Sequence, residues 1–312
     1  MRLNLHTRKL QTQSLKREMV KNYQLYLMVL PSIVMIAIFQ YVPMYGVQIA
    51  FKDFNARLGI WSSPWIGLTH IEKFIQSPYF FKLLWNTFII NVYSLAIGFP
   101  IPILVAVILN ELEREVYKKF VQTVICIPHF ISTVVMVGMI FLFTNESKGI
   151  INHFIAFLGG ERIAFMAKQQ WFRTIYVLSG VWQNMGWNSI IYIAALSGVD
   201  VQMHEAAIID GAGRLKRIWH INLPTIKPTI VIMLLMSMGK MLSVGFEKIY
   251  LMQLPLNLEV SEVISTYTYK IAFEGGSFSY GAAIGLFLNV LNLILLVSFN
   301  RIARKMGDVS LW

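Results

Sequence analysis

Six stretches of this chain, at about 23–46, 83–109, 120–143, 172–196, 226–246 and 282–299, are apolar over lengths that a soluble helix does not need. About 20 apolar residues in a helix cross the roughly 30 Å hydrocarbon core of a bilayer. Inside that core a helix satisfies its own backbone, which a loop cannot do. The composition agrees: 56% of the 312 residues are hydrophobic and 14% charged, against about 25% charged in a soluble domain. The expected fold is therefore an all-α integral membrane protein with six transmembrane helices. The first run exceeds the 7–15 residues of a signal-peptide core and lacks a small-residue cleavage site, so it reads as an uncleaved span. With a single cysteine, Cys126, no intrachain disulfide can form.

The formal net charge of +11 raises the possibility of nucleic acid, but the bases sit between the apolar runs. Membrane orientation explains that placement better. With the N-terminus inside, six spans put the C-terminus inside as well. Inside segments then hold 16 of the 27 Lys and Arg residues and the longer outside segments hold 9. Residues 1–22 form a basic cytoplasmic tail, 23–305 the membrane domain, and 306–312 a second cytoplasmic tail. The long segments 47–82, 144–170 and 247–281 are expected outside as loops. The 197–227 segment is expected in the cytoplasm.

That cytoplasmic segment contains Glu205-Ala206-Ala207-Ile208-Ile209-Asp210-Gly211, followed by Ile221-Asn222-Leu223-Pro224. Asp200 can cap a helix over Val201–Ile209, because its carboxylate accepts from free amides of the first turn. Asp210-Gly211 then ends it, glycine tolerating the positive φ of a helix terminus. A second short helix over Ala212–Ile221 carries Arg214, Lys216 and Arg217, and Pro224 is expected to stop it. Ala207 and Gly211 are expected to pack tightly. Two short helices with charges outside describe a docking knob.

The spacing is Glu-Ala-Ala, three residues, Gly, nine residues, Ile-X-Leu-Pro, and it resembles the signature loop of binding-protein-dependent ABC importer permeases. The resemblance implies the type I ABC importer permease fold. It also implies that loop 199–225 docks on a separate ATPase through Glu205, Ala206, Ala207, Asp210, Gly211, Ile221, Leu223 and Pro224. The implied partners are a second homologous permease, two ABC ATPase subunits and an extracytoplasmic sugar-binding protein. ATP and Mg would be bound by the ATPases, and this chain would carry no cofactor. Stretches Tyr41–Phe54, Lys118–Phe130 and Asp200–Pro224 are similar to permeases that import complex oligosaccharides of the pectin and rhamnogalacturonan type. Ala50–Asn55, Gly67–Phe74 and Asn86-Thr87 resemble the carbohydrate-importing branch.

The fourth run is the most polar. Asn184, Asn188 and Tyr192 recur every four residues and share one helix face, with Gln183 and Trp187 beside them. Amides facing lipid are costly, so this face should meet protein or water. Amides and aromatic planes suit sugar hydroxyls and ring faces, and they equally suit hydrogen bonding between helices. Lys240 falls inside the fifth run, where it should face the pathway, pair with Glu247, or snorkel to the surface. As a pathway residue it would attract an acidic oligosaccharide. His129, beside Pro128, is expected to serve packing or a backbone hydrogen bond, with a role in transport as the alternative.

The chain has no G-x-x-x-x-G-K-[ST] loop, no H-E-x-x-H pair and no G-x-S-x-G elbow. It is therefore expected to be a pore subunit rather than an enzyme, translocating oligosaccharides by alternating access. The alternative is an ATP-independent secondary transporter or channel, which would be expected to show internal repeats and intramembrane carboxylates. Its spans hold no Asp or Glu away from their ends.

Overall fold

The computed structural model describes residues 21–306, in which the regular elements are helices apart from one isolated bridge between Lys52 and Trp65. Of the two expected tails, only Lys21, Asn22 and Met306 lie within the described residues. The chain divides at Leu68/Thr69 into two compact units.

The first unit holds helix α1, Tyr23–Phe51, none of whose residues from Tyr23 to Met44 is buried. Pro43 has no N–H to give, and just ahead of it the helix widens into a π turn at Ala37–Tyr41. It then tightens to a 3-10 helix over Tyr45–Phe51. The segment after α1 folds back on the helix end: Asp53 N donates to Pro64 O and Ile66 N to Phe51 O, both at 2.9 Å. Lys52 is buried there, donating to Ile60 O at 2.7 Å and lying over the Trp65 ring at 4.7 Å. Its charge is held by the loop itself.

The second unit contains α2 (Phe80–Asn110), α3 (Glu115–Phe130), α4 (Thr133–Phe143), α5 (Gln169–Leu196), α6 (Val201–Ile209), α7 (Arg214–Met238), α8 (Phe246–Met252), α9 (Ile264–Tyr269) and α10 (Phe278–Met306). Three apolar clusters join them. Ile90 of α2, Met136 and Ile140 of α4, Phe172 of α5 and Ile249 of α8 form one. Phe74, Phe80, Leu83, Ile264 and Ile284 form a second, in which α10 closes on α2 and α9. Ala106, Val107, Tyr192, Leu196 and Ile226 form a third, packing α2, α5 and α7 together.

Four sequence expectations are corrected. The stretch 120–143 is not one straight span: α3 and α4 meet at a bend of 97°. Ser132 starts the second piece, its Oγ accepting from Val135 N. Pro224 does not stop a helix. Helix α7 runs through both Pro224 and Pro228, with a π turn at Ile218–Asn222 taking up the register just before Pro224. The run 226–246 is not continuous either, since α7 ends at Met238 and residues 239–245 form a break. Finally, 247–281 is not an open loop: it folds into α8 and α9, with Ile249, Met252, Val263 and Ile264 fully buried.

Among the described residues, four helices are long and apolar enough to cross a membrane, or five if the bent pair α3–α4 counts as one span. Helix α5 has the length, 28 residues, but carries the polar face described above.

Candidate functional site

The polar face of α5 opens onto a cavity of about 570 Å³ bounded by α2, α5, α7, the 239–245 break and α8. Gln183, Asn184, Asn188, Tyr192 and Lys240 all line it, as the four-residue spacing implies for the α5 members. Trp187 does not. Its ring stacks on His129, with centroids 4.4 Å apart and planes within 6°.

Two of the lining amides also hold the α3–α4 bend in place. A break leaves backbone carbonyls without helical partners, and inside a membrane these need a donor. Gln183 Nε2 supplies one, donating to Ile131 O at 2.9 Å. Asn184 Nδ2 donates to Gly180 O at 3.0 Å, which leaves its Oδ1 to accept from His129 Nδ1, also at 3.0 Å. Bracing between helices and exposure to the cavity thus coexist in the same side chains. Close approach completes the joint: a Cβ on Gly186 would lie 2.2 Å from Ile125 O, so only glycine lets α5 lie this near α3.

The 239–245 break is braced from α10. Asn292 Oδ1 accepts from Leu242 N at 3.0 Å, and its Nδ2 donates to Ser243 Oγ at 3.1 Å. Sequence reasoning missed Asn292, although an amide inside the apolar run Leu286–Val297 was a visible signal. Lys240 lies in this break, after the last turn of α7, where the helix dipole favours a cation. No ion pair joins it to Glu247 among the described residues.

The break also brings in a lysine that the sequence had placed outside. Lys248, on α8, lines the cavity; its Nζ donates to Tyr176 O at 3.2 Å and lies 5.0 Å from the centre of the Tyr176 ring. Taking a lysine out of water is costly, and a desolvated cation–π contact returns up to about 2 kcal/mol. No carboxylate lines the cavity, and no described acid forms an ion pair with Lys248. The cavity wall is thus largely apolar, with a line of amides on α5 and two positive groups.

At the opposite end of α5 lies the 205–224 segment. Asp200 Oδ1 accepts from Gln202 N at 2.9 Å, capping α6 as its residue type implies. Gly211 takes φ +73° and lets Ala212 N close back on Ala207 O at 2.8 Å. The expectation of tight packing at Gly211 is corrected: a Cβ there would meet nothing within 4 Å, and Ala207 is only half-buried. The glycine serves backbone conformation rather than space.

Glu205, Ala206 and Asp210 are exposed, as is Pro224, whereas Ile221 is buried and Leu223 half-buried. Ile209 and Leu215 are 86% and 82% exposed, and Trp219 is exposed beside them. The base of this knob is fixed to the turn after α2, where Arg214 pairs with Glu113 and Asn222 Nδ2 donates to Glu111 Oε1 at 3.3 Å.

Residues 98–308 match the family described as binding-protein-dependent transport system inner membrane component. The chain is 45% identical to the polygalacturonan/rhamnogalacturonan transport system permease protein YteP of Bacillus subtilis (strain 168), over 95% of this chain and 94% of that one. It also resembles a solved chain of a bacterial ABC transporter involved in import of the acidic polysaccharide alginate. There the TM-score is 0.86 at 37% identity, over 94% of this chain and 99% of that one. A second structure, the bacterial alginate ABC transporter in complex with alginate pentasaccharide-bound periplasmic protein, gives TM-score 0.85 at 36% identity, over 95% and 99% of the two chains. These likenesses remove the ATP-independent alternative and make the chain a multi-pass membrane component, not a catalytic one. It belongs to the binding-protein-dependent ABC importer permeases, the inner-membrane components of such transport systems.

Proposed function

We propose that this permease passes oligosaccharides through the cavity between α2, α5, α7 and α8, and that the 205–224 knob couples that passage to ATP hydrolysis on partner subunits. The observation that carries the reading is the cavity wall: amides and hydroxyls on a rigid helix face, inside a protein otherwise apolar enough to sit in lipid. Sugar hydroxyls need both donors and acceptors: Asn188 and Ser94, on two helices around the cavity, offer both, and Ser237, whose hydroxyl donates to Met233 O, offers an acceptor. Relatives named for polygalacturonan, rhamnogalacturonan and alginate support sugar as the cargo class.

In this reading six spans cross the membrane, α5 among them, and both termini are cytoplasmic. The polar face of α5 keeps its hydropathy low because that face meets the cavity and not lipid. The knob exposes Ile209, Leu215 and Trp219 to a protein partner, since apolar groups clustered on an exposed projection mark an interaction surface. Glu205, Ala206, Ala207, Asp210 and Gly211 form its tip, and Ile221, Leu223 and Pro224 root it in α7. The assembly comprises a second permease, two ATPases that bind ATP and Mg, and an external sugar-binding protein. Movement requires that ATP favour one conformation of the assembly over the other.

The test is co-purification from native membranes in mild detergent, followed by an ATPase assay. We expect an ATPase and a second permease to accompany the chain, and hydrolysis to rise when the binding protein is added with oligogalacturonide. A chain that purifies alone and inert from several mild detergents would count against the coupling role.

A further inference from the structure

The cavity carries two positive groups and no negative one. Lys248 is the more constrained of the two. Its ammonium is fixed over the Tyr176 ring and spends one N–H on Tyr176 O. An ammonium has three donors, so two remain for the cavity. Lys240, on the break that leads into α8, is exposed to the same space. Glu247 adjoins Lys248 in sequence, yet no ion pair forms between it and either lysine among the described residues. Elsewhere in the chain lysines do find acids: Lys82 pairs with Glu259 at 2.8 Å and Lys270 with Glu262 at 3.4 Å. Lys52, by contrast, is buried with only Ile60 O and the Trp65 ring as partners among the described residues, so a missing acid alone does not call for a ligand. Lys248 differs in lining an open cavity with N–H groups to spare, and there an anion that arrives from outside can complete it.

We infer that the Lys248 ammonium, with Lys240 as a second positive group on the same wall, recognises a carboxylate on the passing sugar, so that this subunit favours uronate-bearing oligosaccharides over neutral ones of equal length. The inference rests on the proposal that the cavity is a sugar pathway and adds the residue that reads charge there. Lys248 does two things at once. It replaces water around the carboxylate with a charge-assisted hydrogen bond, and it lowers the cost of bringing an anion into the membrane. The neutral amides of α5 then serve the hydroxyls common to charged and uncharged sugars.

The experiment uses the complete importer in proteoliposomes with its binding protein. Two probes are supplied at saturating concentration: an oligogalacturonide, and the same chain length fully methyl-esterified, which keeps size and hydroxyls but removes charge. For Lys248→Met or Lys248→Gln, in whichever variant co-purifies with the ATPase, uptake of the acid should fall about tenfold. Uptake of the ester should stay at the wild-type level. Lys248→Arg, which keeps the charge, should retain the preference for acid, and Lys240→Met should reduce it by a smaller factor. Proportional loss of both probes in Lys248→Met would overturn the inference and leave Lys248 as a brace for Tyr176. No change in either probe would overturn it too. So would assembly of Lys248→Arg alone, since that makes the charge structural. Wild-type importer that moves neither probe would instead sink the underlying reading of the cavity as a sugar pathway.

Discussion

Gly186 sets how closely α5 can lie against α3, because any larger side chain would enter the space already held by Ile125 O. Replacing it with valine should force the two helices apart or distort the α3–α4 bend that Gln183 and Asn184 brace. Overpacking of this kind costs typically about 1–3 kcal/mol. The thermal midpoint of the detergent-solubilised Gly186→Val protein should drop measurably, while Gly138→Ala, at a site where a Cβ meets nothing within 4 Å, should leave it unchanged. Equal midpoints for the two variants would show that the close approach is not a stabilising contact. The need for glycine here was not legible in the sequence. Gly186 sits in a polar helix among Met185 and Trp187, and only the partner carbonyl, some sixty residues earlier, explains it. The amide spacing beside it was legible, because helix periodicity is local.

At the scale of elements, what the sequence revealed and what it hid divide along the same line. The Asp200 cap and the left-handed turn at Gly211 are encoded within a few residues of themselves, and both stand where the motif put them. The passage of α7 through Pro224 and Pro228 was hidden: proline stops helices in water, but a π turn and neighbouring helices accommodate it in a bundle. Helix α8 was hidden because its seven residues are too few to register over a span-length hydropathy window. Lys248 was hidden with it.

The knob gives the cleanest test at this scale. Since nothing crowds Gly211, a substitution there acts through φ alone, at a cost of about 1–2 kcal/mol for an ordinary L-residue in the left-handed region. Gly211→Val should therefore shift the link between α6 and α7 without unfolding the membrane helices. Insertion and assembly should persist, and stimulation of ATP hydrolysis by loaded binding protein should be lost. Gly211→Asn should retain most of that stimulation, because asparagine visits this region more readily. Full stimulation in the valine variant would mean that the geometry of the turn does not matter for coupling.

For the whole molecule, the decisive quantity is which way the chain faces. If the knob meets an ATPase it must lie in the cytoplasm, and the proposed orientation puts it there on the strength of 16 Lys and Arg in the segments assigned inside against 9 in the longer segments assigned outside. The structure adds a constraint of its own. Arg214 and Asn222 are tied to Glu113 and Glu111, so the turn after α2 and the base of α7 lie at one end of the second unit. The 144–170 segment leaves α4 at its far end, where Asn152 gathers the backbone of Thr144, Asn145 and Ile163 into a closed loop. Labelling of single cysteines can therefore read both ends independently. In a Cys126→Ala background, Ser147→Cys should react with a membrane-impermeant maleimide added to intact spheroplasts. Asp210→Cys should react only after the membrane is opened. The reverse pattern would put the knob outside, beyond reach of ATP, and the coupling role would fall with it. Labelling of Asp210→Cys that is blocked by the co-purified ATPase, once the membrane is open, would tie orientation and docking together at a single residue.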